Sequence, residues 1–151
     1  MDEVSWYSAT RCHAADLVVR LVRWHLGIDL ETRQPMPTPT VWDAFGGAGA
    51  DAIAFLLGGF DVHVTELDPG RAAAIDQRMR AYAEDLGVPR SRFAVEVGDS
   101  TTAEKACAAD VVYADPPWGG PGYAAAKDGV TIRLGERTLG GWMAHFRRSA
   151  R

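Results

Sequence analysis

Four acidic residues recur along the middle of the chain, each closing an apolar run: Asp43 in "VWDAFGGAGAD", Glu66 in "FDVHVTELDP", Asp99 in "FAVEVGDS" and Asp115 in "DVVYADPPWGGPGY". Gly46, Gly47 and Gly49 follow the first of them and let the backbone turn tightly and approach a ligand. A helix opening behind that turn presents its positive end there. The spacing is not the G-x-G-x-x-G of a dinucleotide site. Asp43, three residues before the first glycine, repels a pyrophosphate and attracts a cation. S-adenosylmethionine, with its ammonium and sulfonium, fits this turn better than NAD.

Glu66 lies about 20 residues past the turn, where an acid bonds ribose hydroxyls in such folds; standing alone it would read as a solvated strand end. Asp99 suits either an adenine amine or a helix N-cap, and its position does not separate the two. Asp68, followed by Pro69, has the pattern of a helix cap. In the last motif, Pro116 and Pro117 lack an N–H and have fixed φ, so they hold their carbonyls rigidly. The Asp115 carboxylate and the Pro116 carbonyl make two fixed acceptors, a match for an exocyclic amine with two hydrogens. Trp118 offers a flat ring for stacking on a base, and Gly119 and Gly120 leave the space above it open. The competing reading of Trp118 is an edge tryptophan covering the core.

These residues need a scaffold that brings them to one edge. Residues 14–26, "AADLVVRLVRWHL", place Leu17, Leu21 and Trp24 at helical spacing with Val18 and Val22 beside them. Ser8 or Thr10 is the expected cap and Gly27 the stop. The proline-rich "TRQPMPTPT" is neither helix nor central strand. Beyond it the chain alternates: strands in "TVWDAF", "FDVHVTEL", "SRFAVEVGD" and "DVVYADPP", and helices in "ADAIAFLLGG", "PGRAAAIDQRMRAYAEDLG" and "TTAEKACAA". Strand–helix repetition with short loops predicts an α/β fold: a doubly wound, Rossmann-like parallel sheet preceded by an N-terminal helix. Ligands bind such sheets at the carboxyl ends of the strands, where all four acids fall.

The 151 residues suffice for one domain, and 47% apolar composition suits a packed core. We divide it as 1–40, the helix and connector; 41–118, the cofactor-binding core; and 119–151, a short basic segment. The net charge of −4 argues against a grip on long nucleic acid. The charge is uneven: from Gly119 onward six Lys/Arg face two Asp/Glu, so this segment carries +4 and the first 118 residues −8. No apolar run approaches the roughly 20 residues of a membrane span. The start, "MDEVSW", lacks the basic and apolar regions of a secretory signal. Cys12 and Cys107 form neither a metal-spaced pair nor a disulfide framework. These features lead us to expect a reducing intracellular compartment, cytoplasm or nucleus, and no metal.

"DAFGGAG", "TELDP", "VGDS" and "DPPW" together resemble the ordered motifs of class I S-adenosylmethionine-dependent methyltransferases, in which an Asp/Asn/Ser-Pro-Pro-aromatic element marks enzymes of amino nitrogens. "PPWGGPGY" is similar to the "SPPWGGPDY" of trimethylguanosine synthases, which methylate guanine N2 of the 7-methylguanosine RNA cap. "EVSWYSAT" and "DAFGGAGADAIAF" resemble that family's "W-F-S-V-T-P" and "DAFCGVGGNTIQF". The likeness spans about Trp6 to Tyr123.

The resemblance implies the class I methyltransferase fold with S-adenosylmethionine as cofactor. It implies that Asp43, Phe45 and the glycines hold the methionine end, Glu66 the ribose and Asp99 the adenine. Trp118 would stack on the cationic methylated guanine, Asp115 and Pro116 would face its amine, and Trp6, Ser8 and Thr10 would wall the site. The expected partner is capped RNA or a cap-like nucleotide, with no membrane.

The chain departs from the family at Asp115, where the family has serine, and at Arg11, where it has proline. An acid at 115 is typical of adenine-N6 methyltransferases of DNA or RNA, the first alternative. The chain runs only about 30 residues past the elbow, so the C-terminal strands of the sheet are expected to be shortened or missing. A truncated, inactive cofactor- or cap-binding relative is the second alternative. The exposed edge of the fourth strand would be covered in one of two ways. Residues 130–134 would pair with it as a fifth strand under a helix at 139–146, or a second chain would cover it in a dimer or hetero-complex.

Overall fold

Where the proline-rich connector ends, the chain starts a parallel sheet. The structure, a computed structural model, describes residues 10–29, 31, 37–102, 108–117 and 131–149. The elements are α1 (Cys12–His25), β1 (Thr40–Asp43), α2 (Ala50–Leu57), β2 (Asp61–Glu66), α3 (Pro69–Leu86), a 3-10 turn (Arg90–Arg92), β3 (Phe93–Val97), β4 (Val111–Tyr113), β5 (Arg133–Leu134), β6 (Arg137–Thr138) and α4 (Leu139–Ser149). The sheet runs β3–β2–β1–β4, and all three pairings are parallel. This is the expected Rossmann-like α/β fold. No helix among the described residues is long and apolar enough to cross a membrane.

Strand alternation decides which face each residue covers. Val41, Val62, Val64 and Phe93 point to one face and meet Ala52, Phe55 and Leu56 of α2, Ile75, Met79 and Ala83 of α3, and Val19 of α1. Trp42 and Ala44 point to the other and meet Leu134 and Trp142. Trp142 packs its ring 6.0 Å from Trp42 and 5.5 Å from Phe45. Trp42 Nε1 donates to Thr65 Oγ1 at 2.9 Å and Trp142 Nε1 to the Ser100 carbonyl at 3.1 Å, so both buried indoles are satisfied. Asp68 caps α3 by accepting from the Arg71 amide at 2.7 Å, and the helix closes at Gly87 with φ 65°.

Three expectations are corrected. In α1, Leu17 (58%), Leu21 (55%) and Trp24 (75%) are exposed, while Ala15, Val19 and Arg23 are buried. The cause is a close helix crossing. A Cβ on Gly58 would stand 2.5 Å from Val19 Cγ1, so α1 meets α2 through small residues and its bulky side chains stay outside. Arg23 reaches across to the Gly58 carbonyl at 2.6 Å and also bonds the Asp29 carbonyl.

Second, Thr10 does not cap α1. Arg11 is the N-cap residue and makes no side-chain cap bond, because the Thr10 hydroxyl is engaged by Asp51. Ser8, the other candidate, lies outside the described residues.

Third, the segment expected as a fifth strand does not pair with β4. Arg133–Leu134 folds back on Arg137–Thr138 as an antiparallel hairpin, turned by Gly135 at φ 60°. Leu134 is tucked beside Trp142 instead. The helix expected at 139–146 is present as α4 and covers the Trp42 face. Among the described residues β4 remains a sheet edge. The helix expected in "TTAEKACAA" falls largely on residues 103–107, which, like Val130, lie outside the described residues.

Candidate functional site

The glycine turn is held from three sides. The Gly46 amide donates to the Thr65 carbonyl at 3.0 Å and the Gly49 amide to the Gly46 carbonyl at 2.7 Å. From α3, Arg78 Nη2 donates to the Ala48 carbonyl at 2.5 Å. Gly47 (φ 51°) and Gly49 (φ 79°) adopt the left-handed region that L side chains rarely enter. A Cβ on Gly46 would stand 2.6 Å from Val64 Cγ1. The turn is therefore pressed onto the sheet and leads directly into the first turn of α2.

Around it the strand ends deliver their acids. Glu66 is buried, and its carboxylate accepts the Gly47 amide at 2.8 Å, the Asp68 amide at 2.8 Å and Arg71 Nε at 3.1 Å. A carboxylate has about four lone-pair positions, so these three donors leave one acceptor among the described residues, on the oxygen that takes Gly47. Glu66 is thus pinned at the lip of the turn with room for one further hydroxyl.

Asp43 has the opposite surroundings. It is 1% exposed, and among the described residues its only hydrogen bond is a long one, 3.3 Å, from the Phe45 amide. Burial first, then the neighbouring carboxylates of Asp51, Asp115 and Glu66, push its pKa up to about 7, against the pull of the Phe45 N–H. Asp51 is raised as well, chiefly by burial and by Asp115, with the Thr10 hydroxyl opposing. Tyr113 is raised by its own burial and by Asp51, Asp115 and Asp43. Asp51 and Asp115 thus crowd Asp43 in an acidic corner. The orphaned oxygen of this corner is Asp51 Oδ1, buried and without a hydrogen-bond partner.

Asp115 is half-buried, Pro116 fully buried and Pro117 exposed. The elbow therefore leaves the sheet at Tyr113, whose carbonyl accepts the Ala44 amide at 3.0 Å. Asp99 is exposed, and its Oδ1 takes the Thr101 amide at 2.8 Å, the bond of a turn-capping residue. Phe45 follows Asp43 into the turn and packs on Trp142.

Thus Asp43, Phe45, Gly46, Gly47, Gly49, Glu66 and the 115–117 elbow lie along the carboxyl edge of β1, β2 and β4, and Thr10 reaches the same corner through Asp51. Trp6, Ser8 and Trp118 lie outside the described residues, as do Gly119 and Gly120. The residues that sequence reasoning missed are Asp51, Tyr113, Arg71 and Arg78. Asp51 left one usable signal: an acid directly behind a glycine turn already carrying Asp43. Among the described residues no group of His, Cys, Asp and Glu is arranged to hold a metal.

Comparison with known proteins adds a family to this geometry. A profile of RNA cap guanine-N2 methyltransferases matches residues 38–130. A trimethylguanosine synthase of Schizosaccharomyces pombe is 31% identical over 129 residues, 82% of this chain and 48% of that protein. A solved protein from Pyrococcus horikoshii, assigned as an RNA methyltransferase, superposes with a TM-score of 0.53 at 27% identity. That match covers 74% of this chain and 48% of the other. The chain therefore spans about half the length of these relatives.

Proposed function

This chain belongs to the RNA cap guanine-N2 methyltransferase family, and on that premise we propose that it moves a methyl group from S-adenosylmethionine to guanine N2 of a 7-methylguanosine cap. The observation that carries the reading is Asp43, a buried carboxyl with acidic neighbours and no ion-pair partner among the described residues. Deprotonated Asp43 offers the positive charge of the cofactor a seat. When bound, the cofactor would supply an electrophilic methyl on its sulfonium; as the amine nitrogen takes the methyl the neutral thioether leaves, and the surplus N–H proton passes to the Asp115 carboxylate or to water. The turn at Gly46, Gly47 and Gly49 and the neighbouring Phe45 shape the cradle, Glu66 takes a ribose hydroxyl, and Asp99 receives the adenine amine.

On the substrate side, Asp115 and the Pro116 carbonyl hold the two amine hydrogens, so the nitrogen lone pair faces the methyl. The acceptors also stabilise positive charge that builds on nitrogen during transfer. Most of the acceleration then comes from orientation. Trp118 stacks on the cationic base, with Trp6, Ser8 and Thr10 as wall. We assign residues 41–118 to the core, 1–40 to the helix and connector, and the basic segment 119–151 to the cap phosphates.

Asp115, an acid where the family has serine, favours one second reading: adenine-N6 transfer, with the base flipped from any duplex. Incubating the chain with S-adenosylmethionine and either a 7-methylguanosine cap analogue or an adenine oligonucleotide separates the two. Mass spectrometry of the nucleotide should find the added methyl on the cap analogue. A methyl found only on adenine overturns the assignment, and cofactor binding without transfer to either leaves the chain a binding relative.

A further inference from the structure

Asp51 joins parts of the site that the transfer chemistry leaves separate. It stands in the first turn of α2, two residues past Gly49. Its Oδ2 accepts a 2.6 Å hydrogen bond from the Thr10 hydroxyl, 41 residues away, at the entry to α1. On its other side, at the end of β4, the Tyr113 hydroxyl favours the charged form of this carboxyl, while the buried Oδ1 has no hydrogen-bond partner among the described residues. Phe55, one turn further along α2, meets the Tyr113 ring edge-on at 5.3 Å. With its carbonyl on Ala44, Tyr113 is fixed at its backbone by β1 and at its ring by α2. It is also the last residue of β4, two before Asp115.

We propose that Asp51 is a positioning residue for methyl transfer: through Thr10 and Tyr113 it sets the entry to α1 and the 115–117 elbow relative to the glycine turn. The inference rests on the methyl-transfer reading above. In geometric terms Asp51 sets the distance and angle between the amine held by the elbow and the cofactor held by the turn. The chemical step is sensitive to that placement, and cofactor affinity much less so. Its charge has a second consequence. Asp51 faces Asp43 from α2, while Tyr113 faces it from the end of β4, Asp115 from the elbow beyond, and Glu66 faces Asp43 from β2. Removing the Asp51 charge therefore makes Asp43 easier to deprotonate.

The test compares wild type with Asp51→Ala, Asp51→Asn and Tyr113→Phe in methyl transfer from S-adenosylmethionine to a 7-methylguanosine cap analogue. Circular dichroism and thermal unfolding establish that each variant is folded. Asp51→Ala should lower kcat by about 10- to 100-fold, with KM for S-adenosylmethionine changed far less. Tyr113→Phe should lower kcat in the same direction but by less. Asp51→Asn keeps an acceptor for Thr10 and should restore most of kcat. It should also move the acid limb of kcat/KM to lower pH, a change that a purely structural role would not produce. Unchanged kcat in folded Asp51→Ala overturns the inference and leaves the functional reading intact. An Asp51→Asn profile with an unmoved acid limb also counts against it. A wild-type chain that neither binds cofactor nor transfers methyl overturns the functional reading, and the inference with it.

Discussion

Glu66 and Asp43 end neighbouring parallel strands, yet their electrical surroundings are opposite. Three N–H donors converge on Glu66, two from backbone and one from Arg71. Asp43 receives one long bond and looks onto Asp51 and Asp115. Among the described residues the fold pairs the acid that we propose binds a neutral hydroxyl and leaves without an ion pair the acid that we propose meets a cation. A compensated carboxylate is a fixed acceptor. An uncompensated buried one costs folding free energy and returns it when a positive ligand arrives.

The sharpest way to break this contrast is Asp43→Asn. Removing the buried charge should weaken S-adenosylmethionine binding by roughly 2–5 kcal/mol, as when one partner of a buried charge pair is lost. The same variant should be no less stable than wild type at pH 8, because the penalty of a buried carboxylate disappears. Calorimetry and urea unfolding check the two halves, and weaker binding together with a less stable fold would mean that Asp43 is a structural acid.

At the compensated corner, Glu66→Ala should weaken cofactor binding by about 1–3 kcal/mol. Here stability should fall as well, since the Gly47 amide and Arg71 lose their acceptor. Unchanged cofactor affinity in a folded Glu66→Ala variant would remove this residue from the site.

Acid–base behaviour sharpens the contrast further. The Asp43 pKa rises from 3.8 in the unfolded chain to about 7 in the folded one. The native state then binds more protons than the unfolded state between those values, so the Asp43 contribution to stability is greatest below 3.8 and is lost as pH rises to about 7. Asp43→Asn should flatten the pH dependence of the unfolding midpoint over that window. An unaltered slope would show that another group carries it.

The smallest expected effect lies on the substrate side. Trp118→Ala should abolish a preference for 7-methylguanosine over unmethylated cap worth about 0.5–2 kcal/mol, while cofactor affinity stays intact. Fluorescence quenching by the two cap analogues reads it directly, and equal affinities in wild type would count against a cap substrate.

The contrast between legible and hidden features follows the range of the interactions. Strand ends, the glycine turn and the acids at Asp43 and Glu66 are local patterns, so spacing alone places them. The faces of α1 are not local: which side is buried depends on Gly58 admitting Val19, and nothing in residues 14–26 records that. Arg133–Leu134 has a strand pattern, but its partner was decided by Gly135, which closes a hairpin before the segment can reach β4. Thr10 looked like a helix cap because Asp51, its actual partner, is 41 positions away. The charge state of Asp43 was equally hidden, since it depends first on burial and then on carboxylates brought to it by other parts of the chain.

The proposed methyl transfer depends first on whether the Asp43 corner accepts a cation. The decisive measurement is a calorimetric titration of S-adenosylmethionine into the chain at pH 7, in two buffers of different ionisation enthalpy. With burial holding the Asp43 pKa up at about 7, binding should release a fraction of a proton, and the release should vanish in Asp43→Asn. Binding that releases no proton, or a release that survives the substitution, would contradict it.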